Sequence, residues 1–174
     1  IKIAATWEGV KAAAELKTVL LSNIVLVGEA PAPPGGEAPR AAAVAERLAD
    51  TGLRGVAVDE HGNVSATLPG TAGDGRRTLL AVHLDTATPS AGCDIEVQEH
   101  CLIGPFVGDN TVAVGALVTL PLLFEKAGMR PESDLLLLAA ARTQGRGDLE
   151  GLRAFLAEAG AFQAGLSIES FALG

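Results

Sequence analysis

Apolar residues recur along the chain at two spacings, one typical of helices and one of strands. A period near 3.6 residues, interrupted by Gly or Pro, predicts amphipathic helices, and short runs of Leu, Ala and Val predict buried strands. The predicted helices cover residues 5–22, 41–50, 110–127 and 149–159. The predicted strands lie in a hairpin at 54–70, at 77–82, in a second hairpin at 95–97 and 101–103, at 135–141 and at 165–168.

Strands and helices alternate over most of the chain. This order predicts an α/β fold with a mixed, largely parallel sheet and helices on both faces. A length of 174 residues is enough for one domain with a substantial core and is marginal for two. We therefore interpret residues 1–174 as a single domain.

Composition narrows the classes of partner. The formal net charge is −8 at pH 7, which argues against a nucleic-acid or anionic membrane surface and leaves room for metal cations. No apolar run is long enough to be expected to cross a membrane, and no signal-type start is present. A cytoplasmic location is therefore expected. Cys93 and Cys101 flank a short turn, and both a disulfide and two free thiols are compatible with that spacing.

Polar side chains follow the ends of several predicted strands, which is where ligands gather in open α/β sheets. Each one alone has an ordinary explanation: a hydrogen-bonded His near a turn Asp, an Asp that caps a helix, or a solvated acid. A His-x-Asp sequence at a strand end is also able to supply a metal-bound imidazole and the carboxylate that orients it. The candidate residues are His83, Asp85, Asp109, Thr143, Gln144 and Glu169.

Five stretches, taken in order, resemble the N-terminal part of the catalytic domain of the dizinc exopeptidases and amidohydrolases. That family includes peptidase T, carboxypeptidase G, aminoacylase and succinyl-diaminopimelate desuccinylase. The stretches are similar to its first loop and helix, its hairpin, its metal-binding strand, its bridging-aspartate turn, and the segment after its Glu-Glu pair. They read "PAPPGGEAPRAAAVAERLADTGL", "VDEHGNVSATLPG", "LLAVHLDTATP", "LIGPFVGDNTVAVGALVTL" and "GRGDLEGLRAFL".

The resemblance implies a set of roles for the candidate residues. His83 would ligate one zinc ion and Asp85 would orient the imidazole, while Asp109 would bridge two metals. Glu169 would complete the coordination of the His83 metal. The substrate would be a peptide or an N-acyl amino acid, with its carbonyl polarised by the metals. The chain would be an N-terminal segment of such a domain, without the lid and dimerisation domain and the C-terminal catalytic segment.

The sequence departs from the family at the Glu-Glu pair. Thr143 stands at the position of the general base, and a Thr hydroxyl does not take a proton from water near neutral pH; such a base typically contributes about 10²–10⁴-fold. Gln144 stands at the position of a metal ligand and offers only a weak, neutral oxygen. Neither His61 nor His100 has the context of the family's last metal-binding His. We therefore expect zero or one zinc ion and an impaired or inactive hydrolase.

Two other interpretations remain open. The chain is also consistent with a non-catalytic binding or interaction module that retains the fold and at most one metal site. A nucleotide-binding domain is disfavoured, because "LPGTAGDGRRT" lacks the end of a phosphate-binding loop and "GPFVGDN" lacks dinucleotide-binding glycine spacing. Uncovered apolar surface on a partial domain would favour self-association or a partner chain.

Overall fold

The computed structural model describes residues 7–53, 55–87 and 92–170, which form four α-helices and seven β-strands. The helices are α1 (Trp7–Glu29), α2 (Ala38–Asp50), α3 (Val112–Lys126) and α4 (Glu150–Ala159). The strands are β1 (Ala57–Val58), β2 (Val64–Leu68), β3 (Arg77–His83), β4 (Glu96–Val97), β5 (Leu102–Ile103), β6 (Asp134–Ala140) and β7 (Ala164–Ser167).

Five strands form one mixed sheet in the order β1–β2–β6–β3–β7, and β4 and β5 form a separate hairpin. Strands β6, β3 and β7 are parallel, whereas β1 and β2 are antiparallel to their neighbours. Strands β3 and β6 stay in register as far as the pair His83 and Ala140. Because parallel strands end at the same edge, the residues that follow β3, β6 and β7 lie close together.

Helices cover both faces of this sheet. Leu137 and Leu138 in β6 are both 0% exposed, although successive strand side chains point to opposite faces. Leu137 belongs to the core shared with α1, α2 and α3, and Leu138 belongs to the core beneath Leu152 and Phe155 of α4. The predicted α/β fold, with a mixed, largely parallel sheet and helices on both faces, is confirmed.

The predicted elements are present, with shifted ends. Helix α1 runs to Glu29, beyond the predicted end at residue 22, because the buried residues Ile24 and Val27 continue its apolar face; residues 5 and 6 of that prediction lie outside the described chain, as does residue 54 of the first hairpin. Helix α3 begins later than predicted, because Asp109 and Asn110 have non-helical backbone angles within a wide turn.

The expectation that no segment is apolar enough to cross a membrane was wrong. Val107–Lys126 spans 20 residues with a mean hydropathy of 1.5, and half of it is buried. Val114 and Leu117 are 0% exposed and belong to the core on the sheet. The same apolar composition therefore serves a buried core helix. The two cysteines, Cys93 and Cys101, are free thiols in this structure.

Candidate metal centre

Three of the predicted metal ligands meet at the carboxyl edge of the sheet. His83 is the last residue of β3, Asp109 lies in the turn before α3, and Glu169 follows β7 by two residues. His83 Nε2 lies 3.4 Å from Asp109 Oδ1 and 3.2 Å from Glu169 Oε2. The His83 side chain is 11% exposed, and each carboxylate side chain is 59% exposed. A half-open group of one imidazole and two acids results.

The hydrogen bond on the other side of the ring fixes the His83 tautomer. His83 Nδ1 lies 2.8 Å from the main-chain oxygen of Asp85. A carbonyl oxygen accepts but does not donate, so Nδ1 carries a proton, an assignment that follows from its partner. In a neutral ring, Nε2 then presents a lone pair to two carboxylate oxygens. A cation bound among these acceptors would offset the repulsion between them.

The donor types and two of the separations fit a zinc ion. Zinc bonds of about 2.0–2.2 Å in a tetrahedron place neighbouring ligand atoms roughly 3.3 Å apart, close to the 3.2 Å and 3.4 Å found around His83. However, the described residues contain no group of three or more His, Cys, Asp or Glu side chains already arranged to hold a metal. Each of the two distances from His83 Nε2 therefore fits a bound zinc ion, but the three side chains do not form a closed set of ligands.

Asp85 holds His83 through a different atom from the one the sequence suggested. The Asp85 carboxylate is fully buried, and its Oδ1 lies 3.8 Å from His83 Nδ1, whereas the main-chain oxygen accepts the hydrogen bond. The carboxylate instead accepts from Thr143 N at 2.9 Å, from Gln144 N at 2.6 Å and from the Thr143 hydroxyl. Asp85 thus links the His83 ring to the turn at residues 143–144.

Thr143 and Gln144 both use their polar side-chain groups as donors. The Thr143 hydroxyl donates to Asp85 Oδ1, so its proton is directed away from the cluster of acceptors. Gln144 Nε2 donates to Asp109 Oδ1 at 3.3 Å. The group of Gln144 that contacts Asp109 is therefore an amide N–H rather than the carbonyl oxygen expected of a weak metal ligand. Its role as a ligand stays a prediction.

Asp109 and its neighbour Asn110 do not cap a helix. Helix α3 begins after Thr111 without a side-chain cap, which removes the ordinary explanation for Asp109. Asn110 is fully buried, and its Oδ1 accepts from both the N–H and the hydroxyl of Ser170 at 3.0 Å. Its amide also contacts Ile168 O at 3.5 Å. Asn110 therefore holds the residues on both sides of Glu169, a role that sequence reasoning missed and that its place beside Asp109 at the strand edge could have signalled.

A small cavity opens beside this group. It has a volume of about 200 Å³ and is lined on its polar side by His83, Gln144 and Glu169. Its apolar side includes Leu149 and Leu152. The cluster therefore borders a half-open cleft.

The fold is similar to that of several solved peptidase structures. The chain is similar to the aminopeptidase PepT from Bacillus cereus ATCC 10987, with a TM-score of 0.74 and 17% identity, over 88% of this chain and 43% of that one. It is similar to the dipeptidase Dug1p from Saccharomyces cerevisiae, with a TM-score of 0.73 and 15% identity, over 94% and 41% of the two chains. Human carnosine dipeptidase 1 matches with a TM-score of 0.68 and 13% identity, over 92% and 40%.

These likenesses concern the fold. No protein-family model and no curated protein matches the sequence. At 13–17% identity the structural likeness confirms the predicted resemblance to the dizinc exopeptidases at the level of architecture. The chain spans about two fifths of the length of each of these structures, 40–43%.

Proposed function

We propose that this chain is a hydrolase domain of the metallopeptidase or N-acyl amidohydrolase type that binds at most one zinc ion and is impaired or inactive. The observation that carries the proposal is the meeting of Asp109 and Glu169 on His83 Nε2, at 3.4 Å and 3.2 Å. Beside this group, Thr143 and Gln144 supply donors where the resemblance calls for two acids.

His83, Asp109 and Glu169 would hold the ion. A zinc ion bound there would polarise a substrate carbonyl and activate water. Thr143 limits the reaction, because its hydroxyl donates a hydrogen bond to Asp85 and takes no proton from water. Loss of a positioned base typically costs about 10²–10⁴-fold. Little turnover is therefore expected.

The substrate class proposed is a peptide or an N-acyl amino acid. It is supported by the fold shared with an aminopeptidase and two dipeptidases. The cytoplasmic location, and the expectation that neither a nucleic acid nor a membrane is a partner, stay predictions from composition.

A non-catalytic binding module is the second candidate. It is favoured by the hydrogen bonds of Thr143 and Gln144, because both side chains already donate to acids, Thr143 to Asp85 and Gln144 to Asp109. Such a module would bind the same class of molecule without cleaving it. Zinc-stimulated turnover of N-acetyl amino acids or dipeptides would favour the hydrolase, and binding of these compounds without turnover would favour the binding module.

Self-association or a partner chain is also proposed. Strand β7 is an edge strand in which all four residues are exposed, and Leu166 is 58% exposed. Leu149 and Leu156, near and on α4, are 45% and 43% exposed. Unpaired edges with apolar side chains favour association. Light scattering is expected to show a species larger than a monomer, and a monodisperse monomer would contradict this part of the proposal.

Metal content tests the central claim. We expect elemental analysis to find about one zinc per chain, and none in His83→Ala, because the ring is the shared contact of both acids. His100→Ala is the matched control, since that side chain is 87% exposed and lies in the turn of the β4–β5 hairpin. Equal zinc content in His83→Ala and the parent protein would refute the proposed centre.

A further inference from the structure

Two buried charged residues lie at the start of α2. Glu37, which directly precedes the helix, is 5% exposed, and Arg40 in the first turn is 1% exposed. A buried charge is costly unless hydrogen bonds compensate for the lost water. The partners of these two side chains therefore show what the burial achieves.

Arg40 reaches the segment that carries His83. Its Nε donates to Ala30 O at 3.0 Å, its Nη2 to Gly28 O at 3.4 Å and its Nη1 to Leu84 O at 3.1 Å. Leu84 lies between His83 and Asp85. Burial lowers the pKa of Arg40 to about 10, while nearby Cys93 and Asp85 raise it, so the guanidinium stays charged near neutral pH. It joins the end of α1 to the end of β3.

The bond to Leu84 bears on the His83 ring through peptide geometry. The oxygen of Leu84 and the nitrogen of Asp85 share one planar peptide unit. A fixed Leu84 carbonyl therefore fixes the plane through which the chain enters Asp85. The next carbonyl, that of Asp85, is the one that accepts the His83 Nδ1 proton.

Glu37 acts in the same way on the other strand end. Its Oε1 accepts from Gly35 N and from Arg142 N, both at 2.9 Å. Arg142 directly precedes Thr143 and has a φ of +52°, a left-handed conformation that residues other than glycine adopt infrequently. A hydrogen bond to its N–H stabilises that conformation where the chain turns towards Thr143.

We propose that Glu37 and Arg40 are positioning residues for the candidate metal centre. Arg40 sets the carbonyl that orients the His83 ring, and Glu37 sets the turn that carries Thr143 and Gln144. The metal readout of this inference rests on the proposed function. The placement of the His83 ring does not, because it is measured on metal-free protein.

The first test replaces Arg40 with Lys, which keeps a positive charge but loses the planar fork that reaches three carbonyls. Nitrogen-15 NMR of metal-free protein is expected to show His83 with its proton on Nδ1, and this single tautomer is expected to be lost in Arg40→Lys. Zinc affinity, measured by chelator competition, is expected to fall about 10–100-fold, as for other residues that orient a metal ligand. Arg47→Lys, on the same helix but in contact with Asp50 at the surface, is the control and should change neither readout.

The second test uses Glu37. Glu37→Gln retains an oxygen acceptor and is expected to keep zinc affinity within about twofold, whereas Glu37→Met is expected to lose about 10-fold or more. Glu46→Gln, an exposed position on the same helix, controls for the lost charge. If Arg40→Lys does not fold, Glu37→Gln and Glu37→Met test the proposal.

The outcomes are separable. A parent-like tautomer and zinc affinity in folded Arg40→Lys would overturn the positioning role of Arg40, and equal affinities of Glu37→Gln and Glu37→Met would overturn that of Glu37. Failure of both Arg40→Lys and Glu37→Met to fold would assign the pair a structural role only and overturn the proposal. If the parent protein binds no zinc but Arg40→Lys changes the tautomer, the proposed metal centre fails and the positioning of the His83 ring by Arg40 stands.

Discussion

Charged side chains are arranged differently at the two ends of the central strands. At the amino end, Arg76 lies between two acids, with Nε 2.6 Å from Asp74 Oδ2 and Nη2 2.7 Å from Glu132 Oε1. Every acid in this small group has a cation beside it. Hydrogen bonds from Arg76 lower the pKa of Asp74, and those to Glu132 and Asp74 raise the pKa of Arg76. The group is exposed, and its one cation offsets one of its two negative charges.

At the carboxyl end the two exposed acids contact His83 instead of an Arg side chain. Asp109 and Glu169 approach the single nitrogen of His83, and the buried carboxylate of Asp85 lies just behind it. Buried charges there bond to backbone groups and set the path of the chain, as Asp85 does for residues 143 and 144. Two acids directed at one ring nitrogen are a partial set of ligands for a cation, because the described residues hold no group of three already arranged for a metal. Function is therefore expected at this end of the sheet.

The largest expected effect comes from restoring the missing acids. Thr143→Glu combined with Gln144→Glu adds two carboxylates beside Asp109, and zinc content is expected to rise from about one to about two per chain. Hydrolysis of N-acetyl amino acids is expected to rise about 10²–10⁴-fold, the usual contribution of a general base.

The control for this variant adds an acid at the opposite end of the sheet. Thr71 lies at an exposed position there, and Thr71→Glu is expected to change neither zinc content nor hydrolysis. If the restored pair raises neither quantity, the assignment of positions 143 and 144, or the sufficiency of this segment, is wrong.

Replacing the buried acid should cost folding stability at the carboxyl end. Asp85→Asn removes the charge that accepts three hydrogen bonds and places an amide donor among donors. We expect a loss of about 3 kcal/mol in the free energy of unfolding, measured by urea denaturation. Asp74→Asn, the exposed counterpart at the amino end, is expected to cause a much smaller loss. Equal losses in the two variants would remove the distinction between the ends.

A smaller effect is expected at the residue that holds Glu169. Asn110→Ala leaves Ser170 N without its acceptor, at a cost of about 1–3 kcal/mol, and should also weaken zinc binding. Asn23→Ala is the matched control, because Asn23 is a buried amide bonded to Thr119, far along the chain from the centre. Unfolding and zinc titration are measured on both. A similar loss of zinc affinity in Asn23→Ala would show that general destabilisation, not Glu169, is responsible.

The smallest expected effect is the acid dependence of the amino-end pair. Because the folded-state pKa of Asp74 is lowered from 3.8, the pair stabilises the fold above that value and loses this contribution as the pH falls through the lowered pKa. Arg76→Met should therefore flatten the acid side of the stability curve slightly at low salt, and not at high salt, where exposed charges are screened. The curve is measured by urea unfolding at several pH values. A difference that persists at high salt would contradict the surface character of this group.

Local sequence determined which segments form helices and strands and which polar residues follow them. Periodicity was sufficient for this, because burial imposes a period of 3.6 on a helix face and unbroken apolar runs on central strands. It placed His83 at the end of β3 and Thr143 after β6. It did not place the start of α3, because the non-helical backbone of Asp109 and Asn110 has no periodic signature.

Tertiary structure decided which of those residues meet. The pairing of β3 with β6 on one side and with β7 on the other brings positions 83, 143 and 169 to one edge, and no local pattern encodes that strand order. It also buries Glu37 and Arg40, although charged side chains are mostly exposed in folded proteins. Their depth depends on the loops packed against them, which come from distant parts of the chain. Sequence alone thus indicated which residues are candidates for the centre. Packing decided which of their atoms meet, because a hydrogen bond depends on separation in space and not along the chain.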